Sequence, residues 1–134
     1  MDAKVVIVRV YDDPGRRRGE HRVLVDRLWP RGLTKEAVDR DEWAKDLAPS
    51  TELRQEFHAN PEDWRGFQRK YRAELRGEAA QEHLATLAAV ARRGRLTLLS
   101  AAKDGARNHV AVLQKALTSL SKGGRKRGSG LVKK

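Results

Sequence analysis

The chain of 134 residues contains no cysteine. That excludes disulfides, thiolate catalysis and any zinc or iron–sulfur site built on Cys, and it fits a reducing compartment. Long apolar runs are missing as well. Nothing approaches the ~20 residues needed to span a bilayer. Met1-Asp2-Ala3-Lys4 leads straight into a strand-like stretch, without the layout of a secretory signal. A cytoplasmic protein with no membrane partner is expected. The phosphate loop Gly-x-x-x-x-Gly-Lys-Ser/Thr, the His-Glu-x-x-His helix and the Gly-x-Ser-x-Gly elbow are all absent. The 4 histidines, at 21, 58, 83 and 109, lack ligand-like spacing, so no metal or cofactor is expected. His58 and His83 are expected at the surface.

Acidic residues are also scarce, 18 against 29 Lys and Arg, which leaves a net charge of +11. The charge is unevenly spread. Lys122, Arg125, Lys126, Arg127, Lys133 and Lys134 supply six of those charges with no acid among them. Residues 122–134 are expected to be a basic, disordered tail on a single domain formed by 1–121. Such a tail attracts nucleic acid without sequence preference, or it serves only to keep the protein soluble. Arg16-Arg17-Arg18 adds a second basic cluster in a loop.

What is present reads as alternating strands and helices. Val5-Val6-Ile7-Val8-Arg9-Val10 is β-branched and nearly all apolar, as in an interior strand covered on both faces. It ends at Tyr11-Asp12-Asp13-Pro14-Gly15, a strong turn signal. Arg22-Val23-Leu24-Val25 is a second strand, and it changes abruptly to Asp26-Arg27-Leu28-Trp29-Pro30-Arg31-Gly32. Pro30 lacks an N–H and holds Trp29 extended, so the strand ends there. About a dozen residues separate the two strands, which suits either a parallel crossover or a long-looped hairpin.

Thr34 can cap a helical turn, with helical stretches expected up to Leu47 and a break at Pro49. Ser50 or Thr51 caps the next helix. Asn60-Pro61-Glu62-Asp63 reads as a cap followed by a proline at the first helical position. Trp64, Phe67, Tyr71 and Leu75 then fall on one helical face. Leu84, Leu87, Ala88 and Ala91 form the stripe of a further helix closed by Gly94. Arg95 to Ser100 is the third strand, and a last helix from about Ala106 to Leu120 carries Val110, Leu113, Leu117 and Leu120. The order predicts an α/β fold: a small, mainly parallel sheet of about three main strands with helices packed against it.

Three strands end in polar groups. Arg9, Tyr11 and Asp12 follow the first, Asp26 and Arg27 the second, and Ser100, Lys103 and Asp104 the third. Asn108 and His109 open the last helix. Ligands in open α/β sheets sit outside the carboxyl ends of the strands, so parallel strands would bring these groups to one edge. Asp26, Arg27, Lys103, Asp104 and His109 are the candidates for chemistry. Arg9, Tyr11, Trp29, Arg31, Ser100 and Asn108 are candidates for ligand contact. Arg27, Arg31 and Lys103 favour a small anion. The competing readings are a structural Asp26–Arg27 ion pair with no site at all, and a nucleic-acid-associated protein using Arg16, Arg17, Arg18, Arg125, Lys126 and Arg127.

Several blocks resemble one family. They are Arg9-Val10-Tyr11-Asp12, the run from Arg22 to Gly32, Trp43-Ala44-Lys45-Asp46-Leu47-Ala48-Pro49-Ser50, Glu52-Leu53-Arg54, and Thr97-Leu98-Leu99-Ser100-Ala101-Ala102-Lys103-Asp104, together with Asn108-His109. They resemble the DUF488 domain family of uncharacterised bacterial proteins, in its short YeaO-like branch. The resemblance implies a compact α/β domain with a parallel sheet and no established activity. Many members of the wider family carry Cys-Ala-Glu after the last strand and Cys-His-Arg at the helix start. Here those positions hold Ser100, Ala102, Asn108 and Val110, with only His109 kept, so any thiol chemistry of those relatives is unavailable.

Overall fold

A computed structural model describes residues 4–103 and 107–127, with side chains described as far as Lys122. Four strands, β1 (Lys4–Arg9), β2 (Glu20–Leu24), β3 (Glu42–Trp43) and β4 (Arg95–Ser100), form one sheet in the order β1-β4-β2-β3. Every pairing is parallel. The helices are α1 (Thr51–Ala59), α2 (Trp64–Leu75), α3 (Glu78–Arg93) and α4 (His109–Arg127). Among the described residues no helix is long and apolar enough to cross a membrane.

The hairpin alternative is excluded, because β4 lies between β1 and β2 and pairs with both. The first strand is not interior. β1 is an edge strand, and Ile7 is 39% exposed. A β-branched run has the same composition whether one neighbour or two flank it; only the position of β4 decides. The fully covered strands are β4 and β2, with Val23, Leu24, Leu96, Leu98 and Leu99 all at 0% exposure.

One sheet face carries α2, α3 and α4. Val23, Leu96 and Leu98 pack there against Phe67, Tyr71, Leu84, Leu87, Leu113 and Leu117. The expected stripes of all three helices therefore turn inward, with Trp64 and Leu120 at their half-buried margins. Among the described residues the opposite face carries no α-helix. There Leu24 of β2 and Leu99 of β4 cluster with Val10 and Val38 from the connecting segments, and Trp29, Leu33 and, from β3, Trp43 pack on them as a cover. Gly32, at φ +84°, makes that cover possible. It is the third residue of a turn in which Leu33 N–H bonds Pro30 O, a position that requires positive φ.

Beneath the same cover lies Arg22, whose side chain is 0% exposed. It bonds Asp13, sits 3.1 Å from Glu20, and donates to the Asp39 carbonyl at 2.5 Å. Glu20 in turn accepts from the Thr97 hydroxyl.

Four local expectations are corrected. The stretch from Thr34 to Leu47 is not mainly helical. Thr34 does cap a turn, its hydroxyl accepting from Ala37 N–H at 3.2 Å, but Glu42–Trp43 forms β3 and Lys45–Leu47 only a 3-10 turn. Pairing of Val23 with Glu42 and Leu24 with Trp43 outweighs local helical preference. Asn60 ends α1 rather than starting α2; Asp63 is the cap, accepting from Gly66 N–H at 3.0 Å. Ser50, as expected, caps α1 through Leu53 N–H. At the C-terminus, the backbone of α4 runs on to Arg127, past the expected end at Leu120. The side chains of Arg125, Lys126 and Arg127, and residues 128–134, lie outside those described.

The fourth correction concerns His83, which is not solvent-facing. Its Nε2 lies 2.8 Å from Glu42 and its Nδ1 2.8 Å from Asp46, so it ties α3 to β3 and to the 3-10 turn. His21 bonds the other oxygen of Glu42 and lies 3.8 Å from Asp41. Burial alone would lower the His83 pKa, but Asp46 and Glu42 together raise it above the ordinary histidine value. Burial alone would raise Glu42, yet His21 and His83 hold it below the usual glutamate value. A raised histidine contributes stability that is complete below its unfolded pKa of about 6.5 and is lost as pH rises through the folded value. Replacing His83 with Gln should therefore cost more stability at pH 5.5 than at pH 8.5 in urea unfolding. An equal cost at both pH values would contradict the clasp.

Candidate functional site

Parallel pairing sends every strand's carboxyl end to one edge. After Leu24 the chain stays in register, with Val25 N–H bonding Leu99 O at 3.0 Å. Asp26 thus comes to lie beside the end of β4. Its carboxylate accepts from the Ser100 hydroxyl at 2.6 Å and from Ala101 N–H at 2.7 Å, with His109 Nε2 at 3.3 Å. Burial alone would raise its pKa, but His109, Ala101 N–H and the Ser100 hydroxyl hold it below the usual aspartate range. His109 Nε2 also lies 3.0 Å from the Val25 carbonyl. A carbonyl only accepts, so Nε2 carries a proton and donates.

Asp26 thus anchors the β2–β4 edge. Replacing it with Asn should cost about 1–3 kcal/mol, because an amide NH2 would face one of the present donors. Urea unfolding at pH 7 checks this. The gap from the parent protein should narrow as pH falls through the depressed Asp26 pKa, since the carboxylate's stabilisation is lost there.

A cleft of about 480 Å³ opens above this anchor. Asp26, Arg27, Lys103 and His109 all line it, as do Arg9, Tyr11, Trp29 and Arg31. Asp26 and Arg27 do not pair with each other. Arg27 instead donates to Pro49 O at 2.8 Å and Ala48 O at 3.3 Å, clamping the segment before α1. Trp29 donates to Leu33 O and meets Trp43 edge-on at 5.2 Å, while Trp43 donates to Asp26 O. The Tyr11 hydroxyl donates to Arg31 O at 2.7 Å, and the Arg9 guanidinium lies 4.9 Å from the Tyr11 ring centre. Among the described residues Arg9 Nε is buried without a hydrogen-bond partner, while Nη1 of the same guanidinium lies 3.8 Å from Asp12.

Other candidates fall into supporting places. Ser100 is 1% exposed, and its oxygen accepts from Ala102 N–H while its hydroxyl donates to Asp26. Asn108 caps α4 through Ala111 N–H at 3.2 Å and donates to Lys103 O. Asp104 lies outside the described residues. Arg16 is engaged elsewhere, bonding Asp39 at 2.8 Å, Asp41 at 3.1 Å and the carbonyl of Glu20 at the amino end of β2. Arg17 and Arg18 share that exposed loop. Among the described residues no group of His, Asp and Glu is arranged to hold a metal ion.

Sequence reasoning missed Arg54 on α1, which lines the cleft beside Pro49. It also missed a second cleft of about 520 Å³, which shares Pro49, Arg54 and His109 with the first. The Leu-Ala-Pro-Ser block placed next to Glu-Leu-Arg was the available signal, since it fixes where α1 starts.

The family model described as the inactive DUF488-N3 subclade matches residues 4–129. The uncharacterized protein YeaO of Escherichia coli (strain K12) is 46% identical over 112 residues, covering 84% of this chain and 95% of that protein. The uncharacterized protein Rv3073c of Mycobacterium tuberculosis (strain ATCC 25618 / H37Rv) is 40% identical over 116 residues, covering 87% of this chain and 95% of its own. The uncharacterized protein Mb3100c of Mycobacterium bovis (strain ATCC BAA-935 / AF2122/97) matches to the same extent. No solved structure matches significantly. The family match starts with β1, takes in the whole sheet and its strand-end cleft, and runs through α4, and on that extent the chain belongs to the DUF488 family, in its inactive N3 subclade.

Proposed function

We propose that this domain binds a small anionic ligand, a phosphate or carboxylate compound, in the cleft at the carboxyl edge of the sheet. The observation that carries this reading is the charge of the lining. Arg9, Arg27, Arg31, Arg54 and Lys103 all contribute to it. The side chains of Arg31, Arg54 and Lys103 have no hydrogen-bond or ion-pair partner among the described residues. Among the described residues of the lining the one carboxylate, Asp26, is turned onto Ser100, Ala101 and His109. A concave wall of one sign concentrates counter-ions, and guanidinium forks match phosphate and carboxylate geometry.

Binding without turnover is the better-supported form of the reading. Ser100 is buried and doubly bonded, so its hydroxyl is not presented to a ligand. The subclade's own description is "inactive". Ser100, Ala102 and Asn108 stand where the resemblance to the wider family places Cys, Glu and Cys. Nucleic-acid association through Arg17, Arg18 and the cations from Arg125 onward is the competing reading. Arg16 does not support it, because Asp39 and Asp41 already hold its guanidinium.

Calorimetric titration with orthophosphate tests the proposal. Saturable binding is expected, and Arg31→Ala or Lys103→Ala should each weaken it about tenfold, one charge-assisted hydrogen bond of roughly 1.5 kcal/mol. A rise in salt should weaken it only moderately, whereas duplex DNA binding would collapse. No saturable binding, or an Arg31→Ala/Lys103→Ala double variant that binds as the parent does, would contradict it.

A further inference from the structure

We infer that the ligand is a phosphate ester of a planar heterocycle-bearing group, of the nucleoside monophosphate kind, with its ring in the second cleft. The inference rests on the anion reading above and adds what the rest of the ligand is. The two clefts, of about 480 and 520 Å³, are neighbours that share Pro49, Arg54 and His109 as a common wall. Each alone is within the range of a small-molecule site. An inorganic anion would need only the first.

The two halves differ in chemistry. The first is cationic. The second has Phe57, Phe67 and Ala59 in its lining, with the two phenyl rings 4.5 Å apart. Its polar groups are the His58 imidazole, the Gln55 amide, Asn108, the Arg107 guanidinium at the rim, and the shared Arg54 and His109. A hydrocarbon chain laid there would desolvate Gln55, His58 and Arg54 without satisfying them. A heterocycle offers an apolar face to Phe57 and a hydrogen-bonding edge to Gln55. Arg54 has no partner among the described residues and stands between the two halves, where its guanidinium can stack on a ring or meet a phosphate. At the same wall, His109 keeps Nε2 on Val25 O, which leaves Nδ1 as the ring nitrogen placed to hydrogen-bond a ligand.

The test compares orthophosphate, butyl phosphate, adenosine, AMP and UMP by calorimetry on the full chain. Parent protein, Arg31→Ala and Ala59→Trp are titrated in parallel. Ala59 is exposed at the end of α1, so a Trp there fills the second cleft without entering the core. Gln55→Trp, also exposed, serves as the second variant. AMP or UMP should bind at least tenfold tighter than orthophosphate and butyl phosphate, and adenosine only weakly. Ala59→Trp and Gln55→Trp should remove that gain and leave orthophosphate affinity unchanged. Arg31→Ala should weaken every phosphate. If orthophosphate binds and Arg31→Ala weakens it, but neither nucleotide gains over butyl phosphate, the ring assignment falls and the anion reading stands. A nucleotide gain untouched by both Trp variants overturns the placement of the ring. Failure of every anion to bind overturns both.

Discussion

Replacing Arg22 with Met should lower the stability of the domain by about 3–5 kcal/mol, the cost of removing one partner from a buried ion pair. The side chain is 0% exposed, and Glu20 beside it is 3% exposed. Methionine would fill most of the volume but leave Glu20 and Asp13 without their cation, and the Asp39 carbonyl without its 2.5 Å donor. Burial by itself raises the Glu20 pKa, and Thr97, Arg17 N–H and Arg22 bring it below the usual glutamate value. Without Arg22 part of that support is lost. Urea unfolding at pH 7 measures the loss. Adding Glu20→Gln to Arg22→Met should recover part of it, because the stranded charge is then gone. A loss under about 1 kcal/mol would mean that water replaces the guanidinium.

Phe67→Ala should cost about 3–5 kcal/mol as well, through a different mechanism. Phe67 is 5% exposed and lies 4.5 Å from Phe57, 5.5 Å from Trp64 and 5.7 Å from Tyr71, ring centre to ring centre. Truncation leaves a cavity that those rings cannot all collapse into, because Tyr71 is held by its hydroxyl on Leu47 O at 2.5 Å. The melting temperature should fall clearly, and an unchanged value would show that α2 packs through another face. Phe67 also lines the second cleft, so only the unfolding measurement on this variant bears on the packing, and its ligand binding is no test of recognition.

The helices and the class of the sheet were legible because the 3.6-residue stripes of α2, α3 and α4 survive any rearrangement of neighbours. Strand order was not. The pattern of Val5 to Val10 is the same at an edge as in the interior, and only long-range pairing with β4 places it. β3 was missed because two residues carry no period. Arg22 was read as part of a strand, and nothing local announces that residues 13, 15, 20 and 39 would close over it. His83 was misplaced for the same reason: its partners are 41 and 37 residues away in sequence. The candidate site fared better. Asp26, Arg27, Lys103 and His109 line one cleft because polar groups at the ends of parallel strands have one edge to share. Arg54 was missed because it comes from a helix packed beside that edge and not from a strand end, and the Leu-Ala-Pro-Ser block before α1 was the one signal for it.

The central claim is that this edge of the sheet receives an anion. It is tested most directly by following backbone amide chemical shifts of the full chain as orthophosphate is added at physiological salt. The account predicts saturable shifts confined to the Arg9–Tyr11 turn, residues 26–31 and 101–103, and the neighbourhoods of Arg54 and His109, with a common affinity. Shifts confined to residues 16–18 or 122–134, or a uniform drift that does not saturate, would contradict it.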